Sequence, residues 1–208
     1  MAFAPLALLF YTVHLQALLA SAAPSTQAKI ACKLLEAQYP KQYADNELEW
    51  DLTLGFDYTK QRTSYWSLAN ADNEPACMFF PSSAQDVAFA VGVLNNYTNI
   101  AWAVKGGGHN PNVGFSSSKD GILLAMEPNM AKTTLDSENL AHVGPGSRWI
   151  DVAKALDDTG RAVVTGRLGH VGVAGLTLGG GLSFLSAEHV RFLFFHASAE
   201  VLITRARV

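Results

Sequence analysis

The sequence predicts a mixed α+β fold in two parts, a strand-helix-strand unit followed by a second α+β subdomain. From residue 74 onward, short apolar runs alternate with segments whose apolar residues recur at helical spacing. Two glycine-rich stretches, residues 106–108 and 166–181, each follow a predicted strand. The chain has 208 residues, 49% hydrophobic and 16% charged, which is a composition able to bury the core of such a fold.

The N-terminal residues 1–22 have the pattern of a secretory signal peptide. An apolar run from Leu6 to Leu19 precedes the small residues Ala20, Ser21 and Ala22, as at a cleavage site. The run lacks a preceding Lys or Arg, so a short amphipathic or buried segment is the alternative. It is also shorter than the ~20 apolar residues that span a bilayer. We therefore expect a secreted protein that is not anchored in a membrane.

Two further features agree with export. The chain has two cysteines, Cys32 and Cys77, and an even count in an oxidising compartment favours a single disulfide. Asn96 begins an Asn-Tyr-Thr sequon, which predicts glycosylation, although such triplets are common by chance.

Residues 23–73 are expected to form an N-terminal helical and irregular segment. A helix is predicted from Thr26 and ends at Pro40. The remainder of this segment is polar and aromatic and shows no clear period, so it supports no further assignment.

The first strand-helix-strand unit begins with the buried strand ACMFF at residues 76–80. Ser82 and Gln85 have the spacing of a capping box, and the helix that follows carries an apolar stripe at Val87, Ala90, Val91 and Leu94. A second strand starts at Ile100 and leads into the glycine run. We expect the two strands to pair in parallel through a right-handed crossover.

The second subdomain is predicted from a third strand at residues 121–127, a hairpin that turns at Asp136 to Asn139, and a helix. Ser147 is the expected helix cap and Gly160 the expected left-handed stop. The helix has an apolar stripe formed by Trp149, Val152, Ala153 and Leu156. Residues 161–166 are then expected to return as a strand.

The glycines predict a site for a nucleotide diphosphate. Successive backbone N–H groups at the end of a strand form a concave anion site, and glycine lets a diphosphate approach without meeting a Cβ atom. The sequence lacks the GxxxxGK motif followed by Ser or Thr, and it lacks a GxGxxG that opens a helix. A P-loop triphosphatase is therefore excluded and a Rossmann dinucleotide fold is poorly supported. The alternative is that these glycines only form turns and tight packing.

Other ligand classes find little support in the sequence. The net charge is -3, and the basic residues form no stripe of the kind that neutralises nucleic acid phosphates. His142 and His170 belong to no HExxH motif or Cys/His cluster, so we expect no metal site.

The ordered motifs resemble those of a known flavoprotein family. ACMFFPSSAQDVAFAVGVLNNYTNIAWAVKGGGHN, VGPGSRWIDVAKAL and VGVAGLTLGGGLSFLS are similar to the FAD-binding domain of the vanillyl-alcohol oxidase and p-cresol methylhydroxylase family. Within it they resemble the berberine-bridge-enzyme-like oxidases. The resemblance covers residues 74–186 and implies a domain of the p-cresol methylhydroxylase type over 74–189. It also implies a disulfide between Cys32 and Cys77.

The resemblance implies that FAD is the cofactor and that His109 is bonded covalently to the 8α-methyl carbon of the flavin. A neutral imidazole nitrogen is a suitable nucleophile for such a bond. A histidine that is only hydrogen-bonded in the loop is the alternative. Some family members have a second tether through a cysteine, but Leu168 occupies that position here and cannot form a thioether. The expected cofactor-binding residues are Lys105, Gly106, Gly107, Gly108, His109, Asn110, Gly114, Gly144, Gly169, Val171, Gly172, Gly175 and Gly179.

The resemblance breaks near the end of the chain. Family members continue with more strands and a substrate domain, whereas residues 190–208 form an atypical tail without that pattern. We therefore expect a chain that is incomplete at its C-terminus, and we predict no catalytic base. The family implies hydride transfer from a small-molecule substrate to flavin N5 with O2 as acceptor. The alternatives are a non-catalytic flavin-binding module and an inactive truncated product.

Overall fold

A computed structural model of the chain describes residues 24–45, 54–97 and 99–189. The predicted signal peptide and the atypical tail lie outside the described residues, as does Thr98 of the sequon. Asn96 itself is exposed after a helix, and its glycosylation stays a prediction.

A four-stranded sheet forms the centre of the first subdomain, with strand order β1-β2-β4-β3. The strands are β1 (Tyr43–Ala44), β2 (Cys77–Phe79), β3 (Trp102–Lys105) and β4 (Ile122–Ala125). β1 is antiparallel to β2, whereas β4 pairs in parallel with both β2 and β3. The expected direct pairing of β2 with β3 is wrong, because β4 is inserted between them.

Two helices cover one face of this sheet, α1 (Thr26–Gln38) and α4 (Ala84–Asn95). Their apolar stripes pack with Phe79, Ile122 and Leu124 from the strands. The disulfide between Cys32 and Cys77 is present and joins α1 to β2, with 6.0 Å between the Cα atoms. The predicted start of α4 is wrong by one residue, because Ser83, and not Ser82, caps the helix through the N–H of Asp86.

The opposite face is covered by residues 54–73, which form α2 (Leu54–Thr63) and α3 (Leu68–Ala71). Tyr58 of α2 packs on Met78, Ala103 and Leu123 of the sheet. Gln61 and Asn70 are also fully buried here, so the inward side of this segment is partly polar. This face therefore combines an apolar core with a buried hydrogen-bond network.

The second subdomain contains the hairpin β5 (Thr133–Leu135) and β6 (Ala141–Val143), followed by α5 (Trp149–Leu156), α6 (Val173–Leu178) and α7 (Ser186–His189). Trp149, Val152, Leu156 and Val173 form its core. Gly160 has the expected left-handed conformation, with φ at +66°.

Three predictions for this subdomain are wrong. Arg148, and not Ser147, occupies the N-cap of α5, and it makes no side-chain capping bond. Ala153 is exposed rather than part of the buried stripe. Residues 161–166 form neither a strand nor a helix and pair with no described strand, although Val163 packs on the core of this subdomain.

Candidate cofactor-binding site

The two glycine-rich stretches meet at a backbone-to-backbone contact. A Cβ atom added to Gly107 would lie 2.6 Å from the Cα of Gly172, and one added to Gly172 would lie 2.7 Å from the Cα of Gly107. Real carbon atoms in contact stay about 3.5 Å or more apart. Both positions are therefore restricted to glycine by the neighbouring chain.

A third loop, which follows β6, completes this junction. A Cβ atom on Gly106 would approach the carbonyl oxygen of Pro145 to 3.3 Å. The N–H of Val173 donates to the carbonyl of Ser147 at 2.9 Å, and the N–H of Trp149 donates to the carbonyl of Val171 at 3.2 Å. The ends of β3 and β6 and the start of α6 thus converge on one place.

The first glycine loop presents backbone donors at this junction. Gly108 has φ at +68°, a left-handed conformation that reverses the chain after Gly107. In the described part of the chain, no group accepts a hydrogen bond from the amides of residues 106–109. Successive unpaired N–H groups near a left-handed residue form a concavity that suits an anion.

Lys105 ends β3 and is fully buried beneath this loop. Its Nζ donates to Oε1 of Gln61 at 2.6 Å and to Oγ of Ser64 at 3.2 Å, and it lies 4.7 Å from the ring centre of Tyr65. Burial, with a smaller contribution from the positive charge of Arg148, lowers the pKa of Lys105 to about 7. The hydrogen bonds of Nζ therefore tie the start of this loop to Gln61 and Ser64.

Tyr65 and Gly108 enclose the side chain of Lys105. A Cβ atom on Gly108 would lie 2.8 Å from Cε of Lys105 and 3.1 Å from Cδ1 of Tyr65. The hydroxyl of Tyr65 donates to the carbonyl of Ser116 at 2.7 Å, and burial raises the pKa of Tyr65 well above its usual value. Tyr65 thus spans the loop from its start to its end.

Asn70 holds the far side of the loop. Its Nδ2 donates to the carbonyls of Asn110 and Pro111 at 3.1 and 3.3 Å, and its Oδ1 accepts from the hydroxyl of Ser117 at 2.6 Å. The Ser117 hydroxyl oxygen in turn accepts from the N–H of Gly114 at 3.1 Å. Gly114 is left-handed, with φ at +87°, and lies at the exposed turn of the loop.

His109 lies at the partly exposed rim of the junction. Its imidazole stacks on the indole of Trp66, with ring centres 5.4 Å apart and planes inclined by 28°. The N–H of Trp66 also donates to the carbonyl of Gly108 at 3.1 Å. Within the described ranges, no hydrogen bond reaches either ring nitrogen of His109.

The second glycine stretch is tied to the first subdomain by charged groups. Arg148 donates to the carbonyl of His170 at 2.7 Å and lies 3.3 Å from Oε2 of Glu127. The other carboxylate oxygen of Glu127 is 3.5 Å from Nζ of Lys60 on α2. Lys60 and Arg148 together outweigh the charge of Glu127, so this side of the junction has more positive than negative charge, which suits a diphosphate.

A cleft of about 530 Å³ opens along the second glycine stretch. It is lined by Gly166, Arg167, Leu168, Val171, Gly175, Leu176, Gly179, Gly180, Gly181 and Leu182. The side chain of Leu168 is 61% exposed there. The cleft is the right size for part of a cofactor and lies on the same loop as Gly172.

The predicted residues therefore occupy different positions in the site. Gly106, Gly107, Val171 and Gly172 meet at the junction, and His109 lies at its rim. Gly144 packs on the backbone of Met130, and Gly169 packs on Ile150, so both fix loop positions. Gly175 and Gly179 line the cleft instead.

Sequence reasoning missed the residues that hold the first loop, Gln61, Ser64, Tyr65, Trp66 and Asn70. They lie on the segment that has no hydrophobic period, so only their chemical types could have drawn attention to them. Among the described residues, no group of three metal-ligating side chains occurs. In the same ranges, no helix has the length and apolar character needed to cross a membrane.

Comparisons with known proteins agree with this geometry. The FAD binding domain family matches residues 75–201. An uncharacterised FAD-linked oxidoreductase of Arthroderma benhamiae is 40% identical over 142 residues, which cover 68% of this chain and 28% of that protein. The FAD-dependent monooxygenase tpcD of Cochliobolus heterostrophus is 43% identical over 60% of this chain and 24% of that protein. The chain thus spans less than a third of these relatives.

A solved structure of glucooligosaccharide oxidase from Acremonium strictum matches with a TM-score of 0.62 and 27% identity, over 77% of this chain and 32% of that chain. A second structure of that oxidase concerns its 6-S-cysteinyl, 8α-N1-histidyl FAD and matches with a TM-score of 0.59 and 26% identity, over 75% of this chain and 31% of that chain. The glycine junction, the α+β topology and these matches lead to one assignment. The chain belongs to the FAD binding domain family, and the relatives that it resembles include an FAD-linked oxidoreductase.

Proposed function

We propose that the junction of the three loops holds the diphosphate of FAD. The observation that carries this proposal is the contact between Gly107 and Gly172, because it joins two glycine loops into one surface whose first-loop N–H groups have no acceptor in the described part of the chain. The excess positive charge of Lys60 and Arg148 over Glu127 supports an anionic ligand. The residues present therefore fit the cofactor that the family binds.

We further propose that His109 bonds covalently to the flavin. An imidazole nitrogen replaces one hydrogen on the 8α-methyl carbon and loses its own proton, so two protons and two electrons are released. Dioxygen accepts them and becomes hydrogen peroxide. Among the described residues, none makes a hydrogen bond with a ring nitrogen of His109, which supports this role, as does the histidyl FAD of the 26% identical oxidase. Because Leu168 has no thiol, a single attachment is expected.

The experiment that tests both proposals is reconstitution of the 208-residue chain with FAD. After acid precipitation, the wild-type protein is expected to stay yellow and fluorescent and to gain the mass of FAD less two hydrogens. His109→Ala should lose the acid-stable flavin and still bind FAD reversibly, since the glycine junction is intact. A colourless wild-type protein that folds correctly and binds no FAD contradicts both proposals. Reversible binding alone contradicts only the covalent bond.

In a full-length form, we propose that the protein oxidises a small organic substrate. The bound flavin would supply a two-electron acceptor at N5, with O2 as the final acceptor. The family membership supports oxidoreductase chemistry. Peroxide formation on a panel of alcohols, sugars and alkaloids tests it, and flavin binding without turnover in the full-length protein would favour a non-catalytic module.

We also propose that the protein is secreted. The disulfide between Cys32 and Cys77 supports an oxidising compartment. Expression in a eukaryotic host should yield extracellular protein whose N-terminus begins near residue 23 and whose mass falls on removal of a glycan from Asn96. Retention inside the cell with residues 1–22 attached contradicts the proposal.

A further inference from the structure

Trp66 contacts the histidine loop in two independent ways. Its backbone N–H donates to the carbonyl of Gly108, which fixes the peptide that precedes His109. Its indole stacks on the imidazole of His109 at 5.4 Å between ring centres. The position of the loop and the orientation of the histidine ring are therefore set by the same residue.

Stability does not explain the position of this side chain. The side chain of Trp66 is 66% exposed, so it contributes little buried apolar area to the core. The contact with His109 is the interaction that the exposed indole makes at the site.

A stacked ring restrains the imidazole in a way that a hydrogen bond cannot. Stacking fixes the plane of the ring, whereas the two nitrogens lie at the ring edge and stay free. A hydrogen bond to one nitrogen would instead occupy a lone pair or an N–H group. A nucleophilic nitrogen needs both a defined direction and a free lone pair. The stacking geometry provides the defined direction and leaves the lone pair free.

We infer that Trp66 is a positioning residue that holds the imidazole of His109 in the orientation needed for bond formation with the flavin. This inference rests on the covalent attachment proposed above. The backbone N–H of Trp66 is retained in leucine and phenylalanine variants, so these variants test the stacking alone. Tryptophan stacking is worth enough to change the rate of attachment roughly three- to tenfold.

The test compares Trp66→Leu, Trp66→Phe and the control Trp102→Leu, which removes another half-exposed tryptophan at β3. Each chain is mixed with FAD, and the fraction of protein that carries covalent FAD is followed over time by intact mass. The reversible affinity for FAD is measured by flavin fluorescence with the same substitutions placed in the His109→Ala protein. Trp66→Leu should attach FAD roughly three- to tenfold more slowly with little change in affinity, and Trp66→Phe should recover most of the rate. Trp102→Leu should match the wild type.

An FAD-free measurement checks the contact itself. The indole ring current should shift the ring protons of His109 upfield in NMR spectra, and Trp66→Leu should move them back. Equal attachment rates in wild type and Trp66→Leu overturn the inference. A parallel loss of FAD affinity also overturns it, because Trp66 would then support the loop only. If the wild type binds FAD reversibly but forms no adduct, the covalent proposal fails and the inference fails with it.

Discussion

Replacing Gly107 by alanine places a methyl group where the backbone of Gly172 already lies. The new Cβ would be 2.6 Å from the Cα of Gly172, so the two loops must separate by about 1 Å to restore ordinary contact. Neither glycine has a positive φ: Gly172 has φ at -68°, and Gly107 does not adopt the left-handed conformation. The effect is therefore steric and does not arise from backbone strain.

The loss of stability expected for Gly107→Ala follows from overpacking. Inserting a methyl group into a packed backbone contact costs roughly 1–3 kcal/mol in the free energy of unfolding. For a chain of this size each kcal/mol lowers the Tm by about 2–4 °C, so the expected decrease is roughly 2–12 °C. Displaced amides would also weaken FAD binding by roughly tenfold or more, because a hydrogen bond to a charged group contributes about 1.5–3 kcal/mol.

Gly92→Ala is the matched control. No atom lies within 4 Å of a Cβ added at Gly92, which is in the interior of α4 and outside the site. Alanine there should leave FAD affinity unchanged and raise stability by up to about 1 kcal/mol through helix propensity. Thermal unfolding and flavin fluorescence titration measure both variants. If Gly107→Ala and Gly92→Ala are equally neutral, the two loops are not in contact and the description of the site is wrong.

Three further changes test the parts that support this junction. Replacing both Cys32 and Cys77 by serine should lower the free energy of unfolding by about 4 kcal/mol, because the bridge closes a loop with a sequence separation of 45. Urea titrations measure this loss, and an unchanged midpoint of unfolding would contradict it. The pKa of Lys105 is lowered from 10.5 to about 7 on folding, so the unfolded chain binds its proton more tightly and stability should rise by up to roughly 2 kcal/mol between pH 7 and pH 9. Lys105→Met should remove that rise, and an identical pH profile in both chains would refute the assignment. Asn70→Ala removes the donor to two carbonyls and the acceptor of the Ser117 hydroxyl, so it should cost roughly 1–3 kcal/mol in urea unfolding and weaken FAD fluorescence quenching. Wild-type values in both assays would show that the network is dispensable.

Much of the sheet and the glycine loops could be predicted because their signals are local. The strand before Gly106 is a short apolar run, and a glycine run after a strand indicates close backbone approach whatever the partner is. The residue at which a helix starts is harder to predict, and the reason is physical. Ser82 and Ser83 are adjacent and chemically equal, and the choice depends on the carboxylate of Asp86, which accepts from the N–H of Ser82 and the hydroxyl of Ser83.

Strand prediction failed for a segment that pairs with no strand in the described part of the chain. Residues 161–166 contain two valines, which favour strands, yet these residues form no regular secondary structure. A strand also needs a neighbour to accept its hydrogen bonds, and neither described sheet includes this segment. Propensity alone therefore could not separate a strand from an irregular loop.

The first glycine loop is held almost entirely by a segment about 40 residues earlier in the chain. Gln61 and Ser64 bind Lys105 at its start, Trp66 fixes Gly108 and His109 at its centre, and Asn70 holds its far side. Each of these contacts joins polar or aromatic groups, so the segment shows no apolar stripe and its role is invisible to hydrophobic periodicity. A site that must hold an anion on bare backbone has no side chains of its own to define its shape. Its geometry must come from surrounding residues, and in this chain those residues lie on α2, α3 and the turn between them.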